Sequence, residues 1–93
     1  MEHAEVTRFT TLWTQAQTSV FAVISATITN FADAEDVLQK VSTVAVSKFD
    51  AFETDGDLNA FFAWTIAIAR FEILRYLRDR ATDRHEYIAE SLG

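Results

Sequence analysis

The chain has 93 residues, 49% of them hydrophobic, and a formal net charge of −6 at pH 7, so it is long enough for one domain with one core and too apolar to be disordered. The absence of cysteine excludes disulfide bonds and thiolate metal sites, and both histidines lie near the chain ends, so we expect no metal or other cofactor. Because no apolar run has the length of a membrane span and residues 1–5 do not resemble a signal segment, we expect a soluble, cytoplasmic protein.

The first predicted element is a long amphipathic helix over residues 5–29. Apolar side chains recur along it at every third or fourth position: Val6, Phe9, Trp13, Ala16, Val20, Ile24 and Ile28. The chain has no proline, and Gly56 is its only internal glycine, so few residues interrupt helical structure. We therefore predict an all-α fold, a compact bundle of three main helices forming one domain over residues 1–93.

The second predicted helix covers residues 34–52. Asp33 is predicted to be its N-cap, because a carboxylate can accept the free amides of the first helical turn. The predicted apolar face consists of Val37, Leu38, Val41, Val44, Ala45, Phe49 and Phe52, together with the stem of Lys48. The polar side chains that lie off this face are predicted to be exposed: Glu35, Asp36, Gln39 and Lys40.

The third predicted helix covers residues 58–80 and follows an acidic turn, in which Asp57 can act as the cap. One predicted apolar row consists of Phe62, Ile66, Ala69, Ile73 and Leu77. A second row, on the opposite side, consists of Trp64, Ile68, Phe71, Arg75 and Arg78. Two such rows indicate that the helix contacts both the core and a partner. Residues 82–93 are predicted to add at most a weak helical turn.

Charge is distributed unevenly along the chain. Residues 1–60 carry nine acidic and three basic side chains, whereas five arginines crowd one short stretch: Arg70, Arg75, Arg78, Arg80 and Arg84. This division indicates two partners of different charge. An ordinary solvated helix end, with cations near its negative pole, remains the alternative for the arginine cluster.

The segment Asp33-Ala34-Glu35-Asp36-Val37-Leu38-Gln39, followed by Phe62-Ala63-Trp64 and Ile68-Ala69-Arg70, resembles the second conserved region of extracytoplasmic-function (ECF) sigma factors. The resemblance covers roughly residues 9–80. It implies a transcription initiation domain that binds core RNA polymerase, recognises the promoter minus-ten element and helps to melt it. It also allows an anti-sigma factor as a partner. The helix-turn-helix domain found in complete members is absent from residues 1–93.

The resemblance also implies a role for particular residues. The set expected to bind the clamp helices of the polymerase β′ subunit is Asp33, Glu35, Asp36, Gln39 and Lys40. The set expected to contact DNA is Arg70, Phe71, Arg75, Arg78 and Arg80. The loop expected to capture a flipped base contains Asp55, Asp57 and Asn59. The sequence departs from the family's common pattern at Lys40, which stands where Glu is frequent, and at Phe71 and Arg75, which stand where Asn and Asp are frequent.

Two other interpretations stay open, and neither of them is an enzyme. No grouping of a nucleophile with histidine and acid occurs, and no glycine-rich phosphate loop, so we expect a protein that is not an enzyme. The chain could be a helical interaction module that forms a homodimer through Ile68 and Phe71. It could also be a regulator that has kept the fold without reading DNA. Trp64 is interpreted as a core residue, since aromatic side chains at helical spacing are usually buried.

Overall fold

The computed structural model describes residues 2–52 and 57–92, and it contains no β-strand over those ranges. Its elements are α1 (His3–Thr27), α2 (Phe31–Ser47), a 3₁₀ turn (Phe49–Ala51) and α3 (Leu58–Leu92). Each of the three α-helices packs against the other two. The predicted all-α bundle of three main helices is therefore confirmed. None of the described helices combines the length and the apolar character needed to cross a membrane.

Helix α1 buries most of the row that its periodicity predicts. Its buried residues are Phe9, Leu12, Ala16, Val20 and Ile24. Two details differ from the prediction. Val6 is 45% exposed, because it lies in the first turn of α1, before the row reaches the core. Leu12 is buried although it lies outside the predicted row, and Trp13 beside it is only partly buried, with its ring stacked parallel to that of Phe9.

Helix α2 begins three residues earlier than predicted, and the prediction that Asp33 is its N-cap is wrong. The N-cap is Asn30, whose backbone is extended and whose side-chain oxygen accepts a hydrogen bond from the Asp33 amide at 2.9 Å. Both residue types are good N-caps, and a cap bonds the amide of the second or third helical residue. Asn30 therefore caps the helix, and the Asp33 side chain is left available for another partner.

Helix α2 ends at Ser47 rather than at residue 52. Lys48 leaves the helical conformation, and the 3₁₀ turn that follows directs Phe49 into the core. Phe49 meets the rings of Phe9 and Phe61 edge-on, while Phe52 stacks on Trp64 with ring centroids 4.6 Å apart. The chain leaves α2 early because this aromatic cluster holds the turn against α1 and α3. Trp64 packs against the core, as predicted.

Helix α3 continues to Leu92, so the prediction that it ends near residue 80 is wrong. No glycine or proline interrupts residues 58–92, and a helix of this length extends roughly 50 Å. Every residue from Leu77 to Leu92 is exposed. The end of α3 therefore projects beyond the bundle, and the described residues together measure 56 × 23 × 18 Å.

The core-facing row of α3 also differs from the prediction. The buried residues are Phe61, Thr65, Ala69, Glu72 and Ile73, and Leu77 is 43% exposed. Ala69 and Ile73 belong to the first predicted apolar row and are buried, as predicted. Phe62 and Ile66 flank the buried row on one side and Trp64 and Ile68 on the other, and all four are partly buried. The hydrophobicity pattern misses Thr65 and Glu72 because both are polar. Thr65 is satisfied locally, since its hydroxyl donates to the Phe62 carbonyl at 2.9 Å.

Candidate interaction surfaces of α2 and α3

Four of the five side chains predicted to face polymerase lie on the outer part of α2: Glu35, Asp36, Gln39 and Lys40. They do not all border the same depression. Gln39 and Lys40 line a groove between α2 and α3, and Gln39 also borders a depression between α1 and α2 that Glu35 and Leu38 line. The predicted polymerase surface therefore runs across the outer side of α2, with one edge at each neighbouring helix.

The groove between α2 and α3, called here the α2–α3 groove, joins the two predicted surfaces. Its two adjoining parts share Val44, Glu72 and Arg75. The remaining lining residues are Gln39, Lys40, Thr43, Lys48, Trp64, Ala67, Ile68 and Phe71. Residues predicted to bind polymerase and residues predicted to bind DNA thus lie on opposite walls of one depression.

Asp33 is engaged within the chain. Its carboxylate Oδ2 accepts a hydrogen bond from the Tyr76 hydroxyl at 2.5 Å and another from Arg80 Nη1 at 3.3 Å. The Arg80 guanidinium also lies over the Tyr76 ring, 5.6 Å from its centroid. The bond to Asp33, followed by partial burial, raises the pKa of Tyr76 above its ordinary value, although Arg80 opposes the shift. One residue of the predicted polymerase set is therefore tied to one of the predicted DNA set.

Tyr76 is a residue that sequence reasoning missed. The signal available was its position four residues before Arg80, which places both side chains on the same face of α3. Nothing local indicated Asp33, which precedes Tyr76 by 43 residues.

The other arginines of the predicted DNA set have few partners within the chain. Arg70 is exposed and pairs with no carboxylate in residues 2–52 or 57–92. Arg78 lies 3.9 Å from Asp79, and both side chains are well exposed, so this pair contributes little. Arg75 is half exposed and lies 3.7 Å from Glu72. These guanidinium groups are accessible to phosphates.

Phe71, predicted to contact DNA, is 62% exposed at the edge of the α2–α3 groove. An exposed aromatic ring beside cations is typical of surfaces that stack unpaired bases. The groove deepens from Phe71 toward Ile68 and Trp64, which are partly buried. Phe71 also continues into an exposed apolar row with Leu74 and Leu77.

Glu72 is the second residue that sequence reasoning missed. Only 4% of its side chain is exposed, yet its one polar contact among the described residues is the pair with Arg75. No side-chain oxygen in the described ranges is both sealed from solvent and unbonded, so the Glu72 oxygens reach solvent through the groove that the residue lines. The groove therefore has a carboxylate at its floor.

The predicted base-capture loop is only partly described. Asp55 lies outside the described residues. Asp57 caps α3, as predicted: its carboxylate accepts from the Asn59 amide at 2.8 Å, and its carbonyl accepts from the Phe61 amide at 3.0 Å. Asp57 and Asn59 are exposed, and neither lines the α2–α3 groove.

Comparisons with protein-family models, with curated proteins and with solved structures returned no match to this chain. The proposed function below therefore rests on the motif at the start of α2 and on the geometry of α2 and α3.

Proposed function

We propose that this chain is a promoter-recognition domain similar to region 2 of ECF sigma factors. In this proposal α2 binds the clamp helices of the RNA polymerase β′ subunit, and α3 contacts the minus-ten element in the cytoplasm. The observation that carries the proposal is the position of the Asp33–Gln39 motif. It occupies the start of α2 in a bundle of three helices, and the polar side chains Glu35, Asp36 and Gln39 lie on the outer side of that helix.

The charges on the two helices support different partners for them. Acidic side chains at the start of α2 suit a basic surface, and opposite charges across such a contact speed association and set its register. On α3, the exposed guanidinium groups of Arg70, Arg75 and Arg78 suit phosphates. Because the net charge is −6, we expect DNA contact at physiological salt to require further cations from polymerase.

The test is a charge reversal on α2. We expect the double variant Glu35→Lys, Asp36→Lys to bind an isolated β′ clamp-helix fragment about tenfold more weakly or worse, because attraction becomes repulsion at the contact. The matched control is Glu86→Lys, Glu90→Lys, which changes the net charge equally at the projecting end of α3. Circular dichroism should show the same helical signal for both variants.

Two results would contradict the polymerase contact. One is unaltered binding of the α2 variant. The other is an equal loss in the control variant, which would indicate a general charge effect rather than a surface on α2.

An exposed apolar row on α3 favours a second candidate, a homodimerisation module. Phe71, Leu74 and Leu77 follow one another at intervals of three, and each is more than 40% exposed. Such a row can drive self-association. Sedimentation equilibrium separates the candidates. If the chain forms a dimer, the double variant Phe71→Ala, Leu74→Ala should have a lower measured molecular mass than the unaltered chain. A monomeric unaltered chain at about 100 μM excludes a dimer of ordinary affinity.

A regulator that has kept the fold without reading DNA is distinguished by promoter melting. Replacing Arg75 and Arg78 by Ala should weaken open complexes and lower the salt slope by up to about one unit for each phosphate that the protein no longer neutralises. A regulator of this kind would bind the clamp-helix fragment, and the arginine changes would leave melting untouched.

A further inference from the structure

The starting observation is that the Glu72 carboxylate is buried and accepts no hydrogen bond from the described residues. Its side chain is only 4% exposed. The one cation that pairs with it among the described residues, Arg75 Nη1, lies 3.7 Å away, beyond hydrogen-bonding distance. No hydroxyl or amide of the described residues donates to the carboxylate. A buried carboxylate is costly unless donors satisfy it. Glu72 therefore presents unused acceptor capacity to the α2–α3 groove.

The surroundings of Glu72 define what kind of donor fits. The part of the groove that contains it has a volume of about 490 Å³ and apolar walls formed by Trp64, Ile68 and Phe71. Lys48 and Arg75 stand at its rim, both exposed. A flat aromatic ring fits between the apolar walls, and a hydrogen-bond donor on the edge of that ring can reach the acceptor at the floor. An anionic group attached to the ring would then lie beside the cations at the rim.

We propose that the α2–α3 groove is a subsite for one unstacked base of single-stranded DNA, and that it selects a base bearing an exocyclic amino group. The amino group donates to Glu72, the ring packs against Phe71, and the adjacent phosphate pairs with Lys48 or Arg75. The proposal rests on the proposed function, since promoter melting supplies the single strand. It adds a subsite apart from the predicted base-capture loop, because Asp57 and Asn59 do not line the groove.

Cytosine and uracil give the sharpest comparison. Cytosine carries an amino group at position 4, whereas uracil carries a carbonyl oxygen there, which a carboxylate repels. The two rings otherwise have the same size and stack similarly. A preference for cytosine over uracil therefore reports the acceptor, separately from stacking and phosphate contact.

The experiment uses the fluorescence of Trp64, which lines the groove. Trp13→Phe leaves Trp64 as the only tryptophan. Single strands of about 12 nucleotides, one of deoxycytidine and one of deoxyuridine, are titrated at low salt and neutral pH, where phosphate contacts are strongest. We expect quenching by both and at least about fivefold tighter binding of the cytosine strand, the lower end of the discrimination that one good base contact gives.

Variants of Glu72 and Arg75 test which side chain causes the preference for cytosine. Glu72→Gln has the same shape but offers both a donor and an acceptor, so the preference should fall below about twofold. Glu72→Leu keeps the site filled without an acceptor and should abolish the preference, which covers the case in which the glutamine variant does not fold. Arg75→Ala should weaken both strands alike, because it removes a phosphate contact.

Several results overturn the subsite. Equal affinity for the two strands would do so, as would a preference for cytosine that survives both Glu72 variants. The absence of binding of either strand at low salt would also overturn it. So would a Trp64 signal that depends on protein concentration alone, because that result would place a second copy of the chain in the groove. None of them alters binding to the β′ clamp-helix fragment. The proposed function fails separately, by the charge-reversal test on α2.

Discussion

Glu72 occupies a position of α3 that is buried beside the apolar core. Its neighbours along the buried row are Ala69 and Ile73, both fully or nearly buried. The pair with Arg75 offsets little of the cost of burying a carboxylate, because Arg75 is half exposed and the two atoms are 3.7 Å apart. A residue that is costly for folding and faces a groove is a good candidate for a functional role.

We therefore predict that Glu72→Leu stabilises the fold. Replacing a poorly satisfied buried charge by an apolar side chain of similar volume commonly adds about 1 kcal/mol or more to the free energy of unfolding. In a domain of this size that corresponds to a rise of roughly 4–8 °C in Tm. Thermal unfolding followed by circular dichroism measures it.

The matched variant is Arg75→Leu, which leaves the Glu72 carboxylate without its cation and should lower Tm only slightly, because Arg75 is half exposed. A lower Tm for Glu72→Leu would mean that the carboxylate makes a bond that stabilises the bundle.

Between elements, the cluster of Asp33, Tyr76 and Arg80 links the start of α2 to α3. It is the polar counterpart of the apolar contact between these helices, and it orients Arg80 toward α2. Binding of a partner to Asp33 would compete with both bonds. The two predicted surfaces are therefore physically connected through three side chains.

The cluster predicts a titration behaviour for Tyr76. Because the phenol donates its proton to Asp33, its pKa lies above the ordinary value of 10.0. The stabilisation is complete below about pH 10, where the unfolded chain also keeps the proton, and is lost as pH rises through the higher folded-state pKa. We expect Asp33→Asn to lower the Tyr76 pKa.

Phenolate absorbance measures this pKa in a Tyr87→Phe background, which leaves Tyr76 as the only tyrosine. An Arg80→Met variant serves as the opposite control, since removing the cation should raise the pKa further. Identical midpoints with and without Asp33 would show that the bond is absent in solution.

For the whole molecule, the balance of charge limits any affinity for DNA. The exposed arginines occupy a small part of a surface whose net charge is −6. Counterion release supplies most of the affinity for duplex DNA, and the remaining surface repels phosphate. The proposed contact with promoter DNA therefore depends, at physiological salt, on a larger assembly.

We predict that the isolated chain binds random duplex DNA at physiological salt with a Kd weaker than about 0.1 mM, the weak limit of ordinary non-specific binding. Asp79→Asn, Asp83→Asn should bind more tightly, because it removes two carboxylates beside the arginines. Fluorescence anisotropy with a labelled duplex measures both. Micromolar binding by the unaltered chain would overturn the electrostatic reasoning.

Periodicity over long stretches was enough to predict the all-α class, the three helices and most of the α1 core row. The reason is that apolar spacing and the absence of proline act locally and repeatedly along α1, so one misplaced residue such as Val6 does not change the result. The capping role of Asp57 was predictable for the same local reason. The base-capture role of Asp55 stays a prediction.

Only the packing of the three helices decided the rest. From the sequence alone, Asn30 and Asp33 are equally suitable N-caps for α2. In the structure Asn30 is the cap, and the Asp33 carboxylate instead accepts a hydrogen bond from Tyr76 on α3. Likewise, no local pattern could predict that Glu72 is buried while a neighbouring apolar residue is exposed, because burial on this face of α3 depends on the position of α2. The α2–α3 groove itself exists only in three dimensions, since side chains from two helices form its walls, and periodicity describes each helix alone.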